Sequence, residues 1–104
     1  MLFLAMERRK QLRLQIECNR LTDVLKLPHI KVIVFPNSNE KKGEYFYEQH
    51  WIKIYSNVCN IRRGWNSLKA TLHHELAHYY QYFYFNELNH GKNFESILKK
   101  IISL

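Results

Sequence analysis

Apolar positions along this chain alternate between helical and strand spacing, and each change of period marks an element. Leu14, Cys18, Leu21 and Leu25 recur three or four apart, which lines one face of a helix from near residue 8 to 26, ending before Pro28. Ile30-Lys31-Val32-Ile33-Val34-Phe35 is β-branched and stops at Pro36, the pattern of a strand. A polar, lysine-bearing loop then leads to two further strands, near 44–48 and 51–56, that turn near Gln49. A second loop, 57–65, follows. From Asn66 to Phe85 there is neither Pro nor Gly, and Asn66 or Ser67 is placed to cap a helix start. Leu68, Leu72, Leu76, Tyr79 and Phe83 form one apolar stripe along that helix. Asn89-His90-Gly91 reads as a turn, and Phe94, Ile97, Leu98, Ile101 and Ile102 mark a short amphipathic helix after it. The order helix, strand, hairpin, helix, helix predicts one α+β domain over residues 1–104. Its sheet is expected to be three-stranded and mainly antiparallel, packed by an N-terminal, a middle and a C-terminal helix.

The middle helix carries more than a core stripe. On the side away from its leucines lie His74 and His78, four residues apart, so their imidazoles project from one face a turn apart and can reach a single metal ion. Glu75 is next to the first of them, where its carboxylate can reach a water on the open side of that ion and take its proton. A helix that only packed a core would have no use for two histidines and a glutamate opposite its stripe. Together they make the H-E-x-x-H arrangement of zinc metallopeptidases.

A catalytic zinc needs a third protein ligand and leaves its fourth position to water. His90, at the mouth of the last helix, is placed to swing back over the middle helix. Glu87 and Glu95 are the competing donors, as in those zincins that draw a glutamate from a following helix.

At this point the chain resembles a family. Gly43-Glu44-Tyr45-Phe46-Tyr47-Glu48, then Ile52-Lys53-Ile54-Tyr55-Ser56, then His74–His78, then His90-Gly91 with Phe94, is similar to the SprT-like metallopeptidases, Spartan among them. The resemblance covers roughly residues 43 to 100 and is to the minimal domain, since the chain has no C-x-x-C pair for a C-terminal zinc ribbon. It implies a small zincin-like fold, with one Zn2+ per chain held by His74, His78 and His90 and with Glu75 as the base. It also implies proteolysis close to DNA, including cleavage of proteins crosslinked to it. In such peptidases an extended substrate lies antiparallel to a sheet edge beside the active helix, and the strand at 51–56 is the expected edge.

Charge adds a second partner. The chain of 104 residues carries a formal net charge of +7. Arg8, Arg9 and Lys10 cluster on the first helix, and Arg62 and Arg63 sit in a loop beside Trp65. Basic groups beside aromatic rings suit nucleic acid, where cations meet phosphates and rings stack on unpaired bases. These six residues are the expected DNA contacts, with single strands favoured. Cys18 and Cys59 are too few for a cysteine zinc site and not spaced as a disulfide scaffold, which fits a reducing interior. Met1–Met6 is apolar but too short for a signal core, and no stretch approaches a membrane span, so a soluble, intracellular protein is expected. The functional expectation is a zinc-dependent endopeptidase acting on protein or peptide. Its alternatives are a zinc-stabilised DNA- or protein-binding module without turnover and a latent Glu-ligated minimal zincin.

Overall fold

A computed structural model describes residues 2–104, with side chains from Glu7 onward; the apolar Met1–Met6 stretch lies outside those side chains. The elements are α1 (Leu2–Val24), β1 (Lys31–Ser38), β2 (Gly43–Phe46), β3 (Trp51–Val58), β4 (Ile61–Arg62), α2 (Trp65–Phe85) and α3 (Lys92–Ile102). The α+β class and the three helices are as expected, whereas the sheet differs in detail. It has four strands in the order β1-β3-β2, with the two-residue β4 also on β3. It is mixed: β1 runs parallel to β3 from Lys31 opposite Trp51 to Ser38 opposite Val58. Only β2 and β4 pair antiparallel with β3. Local hairpin signals reveal antiparallel neighbours, but β1 and β3 are brought together over a longer span by burial of Val32, Ile52 and Ile54 on one face.

Pro36 does not end β1. The strand continues to Ser38 because it lies at the edge of the sheet, where a missing N–H breaks no ladder bond. The Pro36 carbonyl instead accepts the Ser56 hydroxyl at 2.9 Å.

Helix α1 covers that edge. Val32 N–H donates to Gln15 Oε1 at 2.8 Å, Val34 N–H donates to Gln11 Oε1 at 3.2 Å, and Gln15 Nε2 donates back to the Ile30 carbonyl at 2.9 Å. Two glutamines one turn apart thus satisfy an edge that would otherwise attract another strand. The consequence for function is a correction. Strand β3, the expected substrate edge, is enclosed between β1 and β2, and the edge left open is β2.

Leu14, Cys18 and Leu21 of α1, Leu68, Leu72 and Leu76 of α2, and Phe94, Ile97 and Ile101 of α3 close over Val32, Ile52 and Ile54 to form the core. Phe83, expected in the buried stripe, is 49% exposed and packs on Tyr79 and Tyr84 instead. The N-cap of α2 is Gly64, without a side-chain cap bond, while Asn66 and Ser67 lie inside the helix. Asn86 closes α2 in the left-handed region at φ 54, a conformation asparagine tolerates. Both cysteines are free, Cys18 buried and Cys59 exposed. Among the described residues no helix is long and apolar enough to cross a membrane.

Candidate active site

His74 and His78 stand one helical turn apart on α2, and the loop after Asn86 brings His90 over them. The three Nε2 atoms converge, with His78 to His90 at 3.1 Å and His90 to His74 at 3.2 Å. Nitrogens bound to one tetrahedral zinc at about 2.0–2.1 Å lie roughly 3.4 Å from each other, close to that spacing. Three lone-pair donors aimed at one point cannot all satisfy one another as neutral imidazoles, and a cation satisfies all three. Burial and the neighbouring imidazoles favour the neutral form of two of them: desolvation and then His90 depress His74, while desolvation, His74 and His90 push His78 down to about 4. His74, His78 and His90 can therefore hold a metal ion. Glu87 and Glu95 fall outside this group.

Phe94 packs against all three imidazoles. It is 2% exposed, and its ring lies 5.0, 4.5 and 4.9 Å from the rings of His74, His78 and His90. The loop carrying His90 is tied down by Gln81, which is fully buried on α2. Gln81 Nε2 donates to Asn89 Oδ1 at 2.9 Å, and Asn89 N–H donates to Gln81 Oε1 at 3.3 Å. Gln81 also stands beside the His78 ring, but His78 Nδ1 makes no hydrogen bond of good geometry among the described residues. Gly91 follows His90 as the N-cap of α3. Its φ is an ordinary −76, and its value lies in space: a Cβ there would sit 3.2 Å from the Asn89 Oδ1 that accepts the Gly91 N–H.

Glu75 is 7% exposed, and desolvation raises its carboxyl to about 7 against the partial relief of a hydrogen bond from the Tyr45 backbone N–H. That contact follows from the sheet. Tyr55 N–H donates to the Lys42 carbonyl, which makes 42/55 a bonded pair. Antiparallel bonding then alternates, so Glu44 and Phe46 face β3 while Gly43 and Tyr45 turn their backbone groups toward α2 and the cleft. Gly43 permits the approach: a Cβ there would fall 2.6 Å from Thr71 Cγ2 and 2.7 Å from the Lys53 carbonyl oxygen. Strand β2 thus lies close enough to α2 to hold the carboxyl of Glu75.

Two hollows flank this centre along β2. One of about 440 Å³ is lined by Glu40, Lys42, Arg63, Ser67, Thr71 and His74, among others. The other, about 390 Å³, lies on the His78 and His90 side and is walled by Tyr45, Tyr47 and Leu88. His73, next in the chain to His74, faces the other way: it is half-buried among Lys69, Glu17 and Arg20.

The expected DNA contacts are only partly assembled. Arg9, Lys10, Arg62 and Trp65 line one hollow of about 200 Å³, joined by Arg13, whose guanidinium lies 3.8 Å over the Trp65 ring. Arg8 lines a different hollow with Lys31. Arg63 requires correction, since it is buried at 7% exposure and its guanidinium is fully used internally. It donates to the Lys42, Tyr55 and Ser67 carbonyls, to Ser67 Oγ and to Thr71 Oγ1. Desolvation lowers its pKa from the ordinary value, and its role is to tie β2 and β3 to the first turns of α2. Gly43 and Tyr45 stand in the sequence only as part of a strand motif, and Gln81 and Leu88 are not marked there as site residues. Only Gly43, as a glycine opening a strand, carried a signal that could have singled it out.

A mixed α+β domain whose middle helix and following loop converge three imidazoles beside a buried carboxyl has the donors to hold a metal ion. The chain belongs to the SprT-like family, whose sequence model matches residues 7–104. No curated protein and no solved structure matches it.

Proposed function

We propose that the chain is a zinc-dependent endopeptidase with Glu75 as general base. The observation that carries this reading is the pairing of a buried, backbone-oriented carboxyl with three convergent imidazoles. A site that only stabilised the fold would need no base and would tend to close its fourth position with another side chain. A His₃ nitrogen set suits zinc, which when bound supplies Lewis acidity to polarise a scissile carbonyl and to ease ionisation of water. Glu75 accepts the proton of the attacking water and returns it to the leaving amine nitrogen. Burial places its affinity for protons near neutrality, where accepting and releasing are both feasible. Tyr45 N–H fixes the carboxyl, and Phe94 and Gln81 fix the imidazoles, so little reorganises during reaction.

The substrate, in this reading, is an extended polypeptide that adds to the open edge of β2 through the outward backbone groups of Gly43 and the carbonyl of Tyr45, whose N–H is held by Glu75. DNA is the second partner. Its support is the groove of Arg9, Lys10, Arg13, Arg62 and Trp65, where cations and an aromatic ring stand together. Membership of the SprT-like family agrees with a metallopeptidase role.

The test is incubation of zinc-loaded chain with a DNA-binding protein, with and without single-stranded DNA. Wild type is expected to cleave, and Glu75→Gln to retain zinc while cleavage falls by a factor of at least ~100. Stoichiometric zinc with no cleavage of any substrate, with or without DNA, would replace the peptidase by a binding module.

A further inference from the structure

We infer that the cleft selects a bulky apolar or aromatic residue on the carbonyl side of the bond it cuts, through a subsite walled by Tyr45, Tyr47 and Leu88. The inference rests on the peptidase reading and names the substrate class of that same site.

The argument starts from direction. Strand β2 runs from Gly43 to Phe46, and its outer edge lies beside Glu75. Antiparallel pairing is the more stable of the two orientations. A polypeptide added that way enters at the Tyr47 end and leaves at the Gly43 end. The residue that contributes the scissile carbonyl, with those before it, then lies over the His78 and His90 side. The residue that contributes the amine lies over the first half of α2.

The two ends differ in chemistry. On the entering side the hollow offers Tyr45, Tyr47 and Leu88 around the histidines. Tyr47 and Leu88 are 42% and 44% exposed, two large apolar side chains standing on the same rim. Tyr47 is not loose: its ring packs 5.1 Å from Tyr82, which in turn packs against Tyr45. On the leaving side the hollow presents Lys42, Glu40, Ser67 and Thr71, with Arg63 beneath them. An apolar side chain gains from leaving water only on the entering side. The asymmetry therefore fixes which side of the cut bond carries the apolar residue.

The experiment uses two peptides alike except for Phe or Ala at the carbonyl-contributing position, and a second pair varied in the same way at the amine-contributing position. Cleavage by the zinc-loaded chain is measured as kcat/KM, and affinity is measured separately with zinc-loaded Glu75→Gln. The expected result is a preference for Phe over Ala of about 10-fold or more in both readouts at the carbonyl position. Leu88→Ser should reduce that preference to about 2-fold. Equal handling of Phe and Ala, or a preference appearing at the amine position instead, overturns the inference while leaving the peptidase standing. Binding with the expected preference but without cleavage supports the subsite and removes the peptidase. Neither binding nor cleavage overturns both.

Discussion

Replacing Glu75 by Gln in metal-free protein should make the chain more stable at pH 8 and leave it unchanged at pH 4.5. The native carboxyl is raised from 4.5 to about 7, chiefly by burial. Below pH 4.5 the carboxyl is protonated in folded and unfolded chains alike. Between 4.5 and 7 the unfolded chain gives up its proton while the folded chain keeps it. The folded state then binds more protons, so stability falls as pH rises through that window. Above 7 the folded chain carries a buried carboxylate, and the full penalty, about 3 kcal/mol for a shift of this size, is present. Glutamine keeps the shape and still accepts the Tyr45 N–H but never ionises. His74 and His78, whose depressed pKa values make stability rise with pH, act alike in both proteins and cancel in the difference. The assay is thermal unfolding of chelator-treated wild type and Glu75→Gln at pH 4.5, 6 and 8. In a domain of this length the variant should melt higher by about 10 °C or more at pH 8. Added zinc should narrow the gap, because a nearby cation favours the carboxylate. Curves that superimpose across the whole range without metal would refute the claim that burial holds Glu75 as a weak acid.

Gly43→Ala should cost about 1–3 kcal/mol of stability, since its Cβ would overlap Thr71 Cγ2 and a backbone oxygen, neither of which can swing away; a change of under about 0.5 kcal/mol by denaturant titration would mean that β2 and α2 are not packed this closely. His90→Ala should remove most zinc affinity in a chelator competition, while Glu95→Ala, exposed on α3, should lose no more than about 10–100-fold; the reverse ranking would hand the third ligand to Glu95.

What could be read directly from the chain was whatever depends on near neighbours. Helical spacing alone puts His74 and His78 on one face with Leu68, Leu72 and Leu76 behind them, and the α+β class follows from the alternation of periods. The same logic found the core face of α1 through Leu14, Cys18, Leu21 and Leu25, all of them buried. Length set the limit on strand detail: β1 was cut at Pro36 because proline ends most strands, and only its place at the sheet edge removes that objection.

Tertiary structure decided everything that joins distant segments. Which strand is open depends on Gln11 and Gln15, whose amides cover the edge of β1 from another element and so leave β2 beside the site. The fate of Arg63 was equally hidden, since a basic residue in a loop looks free until five acceptors on Lys42, Tyr55, Ser67 and Thr71 surround it. The acidity of Glu75 belongs to neither its own helix nor its motif. Composition and spacing give a carboxyl next to a histidine; the low-dielectric surroundings and the Tyr45 N–H that tune it exist only once β2 has packed against α2. Local periodicity is a property of the backbone and is written in consecutive residues, whereas burial and charge environment are properties of what the fold brings alongside.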